Sequence, residues 1–201
     1  MHHLRTTLLG LGIALLLPVA ALAQKLPLND ISAYLNKLQT AKGEFTQIND
    51  DGSISTGTIY IKRPGKVRFE YNPPETALVV AGSNTVVIYD SKSNQPPESY
   101  PLNRTPLSII LARNVNLGAA NMVTGHSFDG TATVVTAQDP QNPQYGNIQM
   151  KFTDSPVQLR QWVVTDGQGA RTTVILGDLK KTTGLGASLF NIQTEENRRG
   201  G

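Results

Sequence analysis

Cysteine is absent from the 201 residues of this chain, so no disulfide, thiol nucleophile or thiolate metal ligand is available. Histidine is scarce: two of the three copies stand at positions 2 and 3, and the third is His126. Metal sites built from His and Cys are therefore excluded, and we expect no metal and no cofactor. A strong excess of one charge is also lacking, because the chain has 18 basic and 15 acidic residues. This balance argues against a nucleic acid partner.

The longest apolar run lies at the N-terminus, over residues 8–20, and it is short for a membrane span. It follows a short basic start and precedes Ala21-Leu22-Ala23, the small-x-small pattern of a signal peptidase site. We predict that residues 1–23 are a cleaved signal peptide and that residues 24–201 form a single domain. Because no cysteine follows the cleavage site, we expect a protein without a lipid anchor.

Hydrophobic spacing predicts one amphipathic helix over residues 24–42, ended by Gly43, and a short helix over residues 106–112 that begins at Pro106. Elsewhere the hydrophobic period is mostly two, with turn residues between segments, which indicates strands. A polar loop is expected over residues 90–101 and a frayed tail over residues 195–201, while residues 114–130 show no clear pattern. Strands are expected at residues 44–48, 58–62, 67–71, 78–81, 85–89, 131–138, 147–152, 157–165 and 171–179.

This order of elements predicts an α+β fold that is mainly β. An N-terminal helix, a long series of antiparallel strands and a short helix inserted midway fit an incomplete antiparallel β-barrel. In this architecture the helices form a lid over the concave apolar face of a strongly curved sheet. The lid would cover a hydrophobic cavity.

Catalysis has no positive signal in the sequence. No Gly-x-Ser-x-Gly pattern surrounds any serine, and His126, between Gly125 and Ser127, is expected to lie in a loop. The aspartates stand beside Gly, Pro or Ser, as is typical of turns. We therefore predict that the protein is not an enzyme and has no catalytic residues. A hydrolase that uses His126 stays open as an alternative.

The alternation of residues around Arg63 places a charge next to an apolar surface. Counting by twos, Ile59 and Ile61 share a strand face with Arg63, and the next strand presents Val67, Phe69 and Tyr71 on one face. An arginine that points into an apolar interior needs hydrogen-bond acceptors, such as the free carbonyl oxygens at a helix end. Alternatively, Arg63 lies at a strand end and reaches water.

Three segments resemble the periplasmic lipoprotein carrier family, the LolA-like Lol carriers, which move lipoproteins to the outer membrane. These are Phe45-Thr46-Gln47, the segment from Gly57 to Pro64 with its Lys-Arg-Pro signature, and residues 105–114, which are similar to the family's short lid helix. Asp166 and Gly169, ahead of Thr172 and Thr173, are similar to a later strand pair.

The resemblance implies a soluble periplasmic chaperone that binds lipoprotein acyl chains beneath its lids, with Arg63 as the gate that holds the lids closed. It also implies acylated lipoproteins as cargo, an inner-membrane ABC-type releasing complex and an outer-membrane receptor as partners, and a monomer. A paralogue that carries another amphiphile, such as a glycolipid, and a scaffold with a filled core stay open. The predicted cavity residues are Ile59, Ile61, Val67, Phe69, Tyr71, Leu107, Ile110 and Leu111.

Overall fold

A single antiparallel sheet dominates the computed structural model, which describes residues 24–90, 92, 95–119 and 121–199. The predicted signal peptide, residues 1–23, lies outside the described residues. The strands are β1 (Thr40–Ile48), β2 (Ile54–Lys62), β3 (Lys66–Tyr71), β4 (Leu78–Gly82), β5 (Thr85–Tyr89), β6 (Glu98–Pro101), β7 (Val123–Phe128), β8 (Thr133–Gln138), β9 (Asn147–Thr153), β10 (Gln158–Thr165), β11 (Arg171–Leu176) and β12 (Lys180–Lys181).

The order of the strands across the sheet is β6-β5-β4-β3-β2-β1-β11-β10-β9-β8-β7, and β12 pairs with β1. Consecutive strands from β1 to β6 and from β7 to β11 pair with each other, and the pairing of β1 with β11 joins the two series. The ends, β6 and β7, do not pair with each other, so the sheet is an incomplete barrel. This architecture confirms the predicted fold class.

The sheet is strongly curved, as one aromatic contact demonstrates. Phe69 in β3 and Trp162 in β10 lie four strand positions apart, which is about 19 Å along a flat sheet. Their ring centroids are nevertheless 6.3 Å apart, with one ring edge against the other face. The concave face therefore closes on itself and forms the main core.

Two helices cover the concave face: α1 (Leu28–Lys37) and α2 (Leu107–Leu111). Both were expected, but α1 ends at Lys37 and not at Lys42, so that prediction was wrong. Residues 40–42 instead pair with residues 60–62 of β2, and this pairing extends β1 backwards to Thr40. Gly43 consequently lies inside β1 and does not end the helix.

A third helix, α3 (Ile192–Arg199), packs on the opposite, convex face, where a frayed tail was expected. Ile192 contacts a second apolar cluster formed by β4 and β5, and Glu195 is buried. The Glu195 carboxylate binds Arg68 of β3 at 3.3 Å and also binds Arg198 and Arg199 of its own helix, at 2.9 and 3.0 Å. The pair with Arg68 holds the helix on the sheet.

Besides the two-residue strand β12, two strands occupy segments that the sequence pattern left unassigned. β6 lies within the expected loop over residues 90–101, and its four residues are exposed, which explains the missing hydrophobic signal. β7 contains His126, so the expectation of a loop histidine was wrong. In β7 the register with β8 shifts between Val123 and Gly125, and this irregularity disrupts the two-residue period.

Candidate functional site

The predicted cavity residues lie together beneath the helices, in the main apolar cluster of the concave face. Alternation in β2 and β3 turns their side chains to this face, and α2 contributes the opposite wall. Six of them are buried, while Tyr71 and Leu107 are partly exposed and pack against the others. The residues concerned are Ile59, Ile61, Val67, Phe69, Tyr71, Leu107, Ile110 and Leu111.

Aromatic rings organise the centre of this cluster. Phe45 of β1 packs its ring edge-to-face with Phe69 and Tyr71, at centroid distances of 5.2 and 5.1 Å. The Tyr71 hydroxyl donates a hydrogen bond to Gln47 Oε1 at 2.7 Å, and burial raises the pKa of Tyr71 to about 12. The predicted set omitted Phe45 and Trp162. The alternation along β1 could have placed Phe45 on this face.

Helix α1 supplies the part of the lid that the predicted site omitted. Ile31, Leu35 and Leu38 are at most 5% exposed and belong to the same apolar cluster. Their helical spacing was the signal that could have included them in the site. Together α1 and α2 cover the concave face from two directions.

Arg63 lies directly after β2, and only 7% of it is exposed to solvent, so it does not reach water as the alternative held. Its guanidinium donates hydrogen bonds to the carbonyl oxygens of Leu35 in α1 and of Ala112 directly after α2. A further bond reaches Asn36 Oδ1 at 3.3 Å. Helix C-termini expose carbonyl oxygens, and Arg63 binds one at the end of each lid helix. Burial lowers the pKa of Arg63 from its usual value.

A second set of contacts connects the two parts of the lid to each other. Asn36 Nδ2 donates to the Val115 carbonyl at 2.8 Å, and the Val115 N–H donates to Asn36 Oδ1 at 2.9 Å. One turn earlier, the Leu117 N–H donates to the Ser32 hydroxyl at 3.0 Å. Polar residues four positions apart on α1 were the only sequence signal for this arrangement.

The N-terminal end of α1 is attached to the far end of the sheet. The Leu26 N–H donates to Thr133 Oγ1 of β8, and the Leu26 carbonyl oxygen lies 2.8 Å from Nε2 of His126 in β7. His126 therefore contacts backbone and not a serine nucleophile. Among the described residues, no group of three or more His, Asp or Glu side chains could hold a metal ion.

Two cavities lie outside the predicted set of residues. A cavity of about 960 Å³ opens between β5 and α3, on the convex face, and is lined in part by Tyr89 and Arg199. A smaller cavity of about 260 Å³ lies beside α1, next to β10. Neither is lined by any of the eight residues named above. The side chains of those residues instead pack against one another.

Similar proteins point to one family. A family model described as outer membrane lipoprotein carrier protein LolA matches residues 36–193. The outer-membrane lipoprotein carrier protein of Azotobacter vinelandii is 25% identical over 184 residues, which is 88% of each chain. That of Chromohalobacter salexigens is 24% identical over 196 residues, covering 94% of this chain and 92% of the relative.

Solved structures include a LolA superfamily protein from Nitrosomonas europaea. It superposes with a TM-score of 0.42 at 8% identity, over 84% of this chain and 99% of that protein. Within the described part of the chain, none of the helices has the length and apolar character needed to cross a membrane.

Proposed function

Because this chain belongs to the LolA family of outer membrane lipoprotein carrier proteins, we propose that it carries lipoproteins through the periplasm. The acyl chains of the cargo bind on the concave apolar face, beneath α1 and α2. We expect the predicted cavity residues to contact these chains once the helices separate from the sheet. The protein acts as a chaperone and not as an enzyme.

The position of Arg63 is the observation that supports this proposal most directly. Its buried guanidinium binds both helices that cover the apolar face, through Leu35 and Ala112. Hydrogen bonds to a charged group contribute about 1.5 to 3 kcal/mol each. A few such bonds are strong enough to keep the lid closed when no cargo is present. They are also weak enough to break when cargo enters.

The energy of acyl chain burial favours this exchange. Each methylene group removed from water contributes about 0.8 kcal/mol, so a chain of about sixteen carbons gains on the order of 10 kcal/mol. For a cargo with three such chains, the gain exceeds the contribution of the Arg63 contacts. It also makes spontaneous release into water negligible, so a partner must receive the cargo directly.

Two partners follow from this argument. An inner-membrane ABC-type releasing complex would load the cargo, because extraction from a bilayer requires energy. An outer-membrane lipoprotein receptor would accept it at a stronger apolar site. The carrier itself would act as a monomer that diffuses between the two membranes.

Arg63→Leu tests the gate. The variant should lose the closed state, so that it binds acylated lipoprotein but transfers less than about a tenth of it to receptor-containing liposomes. Arg113→Leu is the matched control, since Arg113 is exposed and follows Ala112 directly. Transfer by Arg63→Leu at the rate of the unchanged protein would reject the gate role.

Mass spectrometry of material that copurifies from the periplasm tests the cargo. Triacylated peptide is the expected finding. Glycolipid in its place would support a carrier of another amphiphile, and a protein that binds no lipid even when offered acylated lipoprotein would be a scaffold with a filled core.

A further inference from the structure

The smaller cavity, of about 260 Å³, opens beside α1 and leads towards the main core. We name it the α1 mouth. Its apolar wall contains Leu38 and Leu159, which are buried members of the main apolar cluster, and Val157 and Leu179, which pack against that cluster. A cavity of about 150 Å³ can hold a benzene molecule. The α1 mouth therefore has room for part of one acyl chain.

The rim of the α1 mouth is cationic. Lys37, Arg160 and Lys181 line it, and no acidic residue does. Arg160 forms an ion pair with Asp178 at 2.7 Å. Within residues 24–199, as far as the structure describes them, neither Lys37 nor Lys181 has a carboxylate within ion-pairing distance. The rim thus offers two ammonium groups to an anionic ligand.

Strand register explains why Lys181 belongs to this rim. Lys181 in β12 lies opposite Ala41, which is fully buried on the concave face, whereas Lys180 lies opposite Lys42 on the other face. Directly paired residues point to the same side of a sheet. Lys181 therefore faces the mouth and Lys180 faces the opposite surface, although both lysines are exposed.

Apolar wall and cationic rim together describe one kind of ligand. The wall suits an acyl chain, and the two ammonium groups of Lys37 and Lys181 suit an anionic headgroup.

We propose that the α1 mouth binds an anionic lysophospholipid, with its single acyl chain against the apolar wall. Its phosphate lies between Lys37 and Lys181. A ligand with two or three chains exceeds this space unless the lid moves. The site therefore goes beyond the proposed transport of lipoproteins and does not depend on it.

Calorimetric titration with myristoyl-lysophosphatidylglycerol, below its micellar concentration, tests the charge preference. Myristoyl-lysophosphatidylcholine has the same chain and phosphate but no net charge. We expect the anionic lipid to bind about ten-fold more tightly. Equal affinities for the two lipids, or binding of neither, would overturn the proposal.

Paired charge reversals locate the site. Lys37→Glu with Lys181→Glu should abolish the preference for the anionic lipid. Lys42→Glu with Lys180→Glu makes the same change in net charge on the other face and should keep it. Equal losses in both double variants would indicate a general charge effect and reject the site.

Filling the cavity gives an independent check. Val157→Trp should reduce lysolipid binding at least ten-fold while the thermal unfolding temperature stays within a few degrees, because Val157 lies in a surface turn and is only half-buried. Unchanged binding in this variant would place the lipid elsewhere. Lipoprotein transfer measured on the same variants separates the two proposals, because either activity can fail while the other persists.

Discussion

The side-chain amide of Asn36 and the backbone of Val115 exchange two hydrogen bonds, at 2.8 and 2.9 Å. This pair joins α1 to the segment after α2 without involving the sheet. The same Asn36 oxygen also accepts a bond from Arg63, at 3.3 Å. The lid is therefore fastened internally by Asn36 and to the sheet by Arg63.

Asn36→Ala should destabilise the protein by about 1–3 kcal/mol, because it leaves the Val115 N–H and carbonyl without partners. Urea unfolding followed by circular dichroism measures this loss. Asn29→Ala, at an exposed position of the same helix, should change stability by less than about 0.5 kcal/mol. Similar losses in the two variants would show that the contact with Val115 is not the cause.

Glu195 should make the attachment of α3 dependent on pH. Burial alone would raise the pKa of its carboxyl, but hydrogen bonds and charges from Arg199 and Arg68 outweigh burial and lower the pKa. The ion pairs therefore stabilise the fold above the pKa of a glutamate in the unfolded chain, about 4.3. This stabilisation is lost as the pH falls through the lower pKa of the folded state.

Glu195→Gln should accordingly lower the free energy of unfolding by about 1–3 kcal/mol at pH 7. This is less than for a fully buried ion pair, because Arg198 is largely exposed. The difference from the unchanged protein should shrink as the pH falls below about 4. Urea unfolding at pH 7, 5 and 3.5 measures both effects. Glu196→Gln, at the exposed neighbouring position, is the control. A difference that stays constant with pH would contradict the role of the charge.

Gly57→Ala should be the most damaging small substitution in β2. A Cβ atom at this position would lie 2.1 Å from the Glu70 carbonyl oxygen and 2.7 Å from Cε1 of Phe45. Since backbone on the neighbouring strand cannot move freely, we expect a loss of more than about 3 kcal/mol or failure to fold. Thermal unfolding of this variant beside Gly130→Ala provides the test.

Gly130 is a suitable comparison because a Cβ atom added there would meet nothing within 4 Å, although its φ of +98° disfavours other residues. Its substitution should therefore cost only the backbone strain of about 1–3 kcal/mol. If both variants lost the same stability, close approach between β2 and β3 would not be the cause.

His126→Ala should cost about 0.5–1.5 kcal/mol, through loss of the hydrogen bond to the Leu26 carbonyl. Lipoprotein transfer should remain intact, because a carrier requires no general base. The transfer assay at equal concentrations of folded protein checks this expectation. Loss of activity in a variant that folds normally would favour the hydrolase alternative.

The fold was largely predictable because its strands alternate regularly and its turns are marked by Gly, Pro and Asp. The end of α1 was not predictable in the same way. Helical spacing continues through residues 40–42, but pairing with β2 places these residues in the sheet. Such pairing depends on a partner about 20 residues away, which a local hydrophobic period does not reveal.

Long-range contacts also explain what the sequence missed in the lid and in the tail. The four-residue spacing of Ser32 and Asn36 does not reveal that they bond residues about 80 positions later. The sequence of α3 is polar and did not predict packing. Glu195 attaches this helix to the sheet through an ion pair with Arg68, which lies in a strand distant in sequence. Counting by twos placed Arg63 on the face shared by Ile59 and Ile61, but spacing alone left open whether it bonds a helix end or reaches water.

The two ends of the sheet bear on self-association. β6 ends in Pro101, which cannot donate a backbone hydrogen bond, and β7 is interrupted by its register shift. A second copy would find no regular row of donors and acceptors at either edge. We therefore expect strand addition between copies to be suppressed, which would help an open barrel remain dispersed at high concentration.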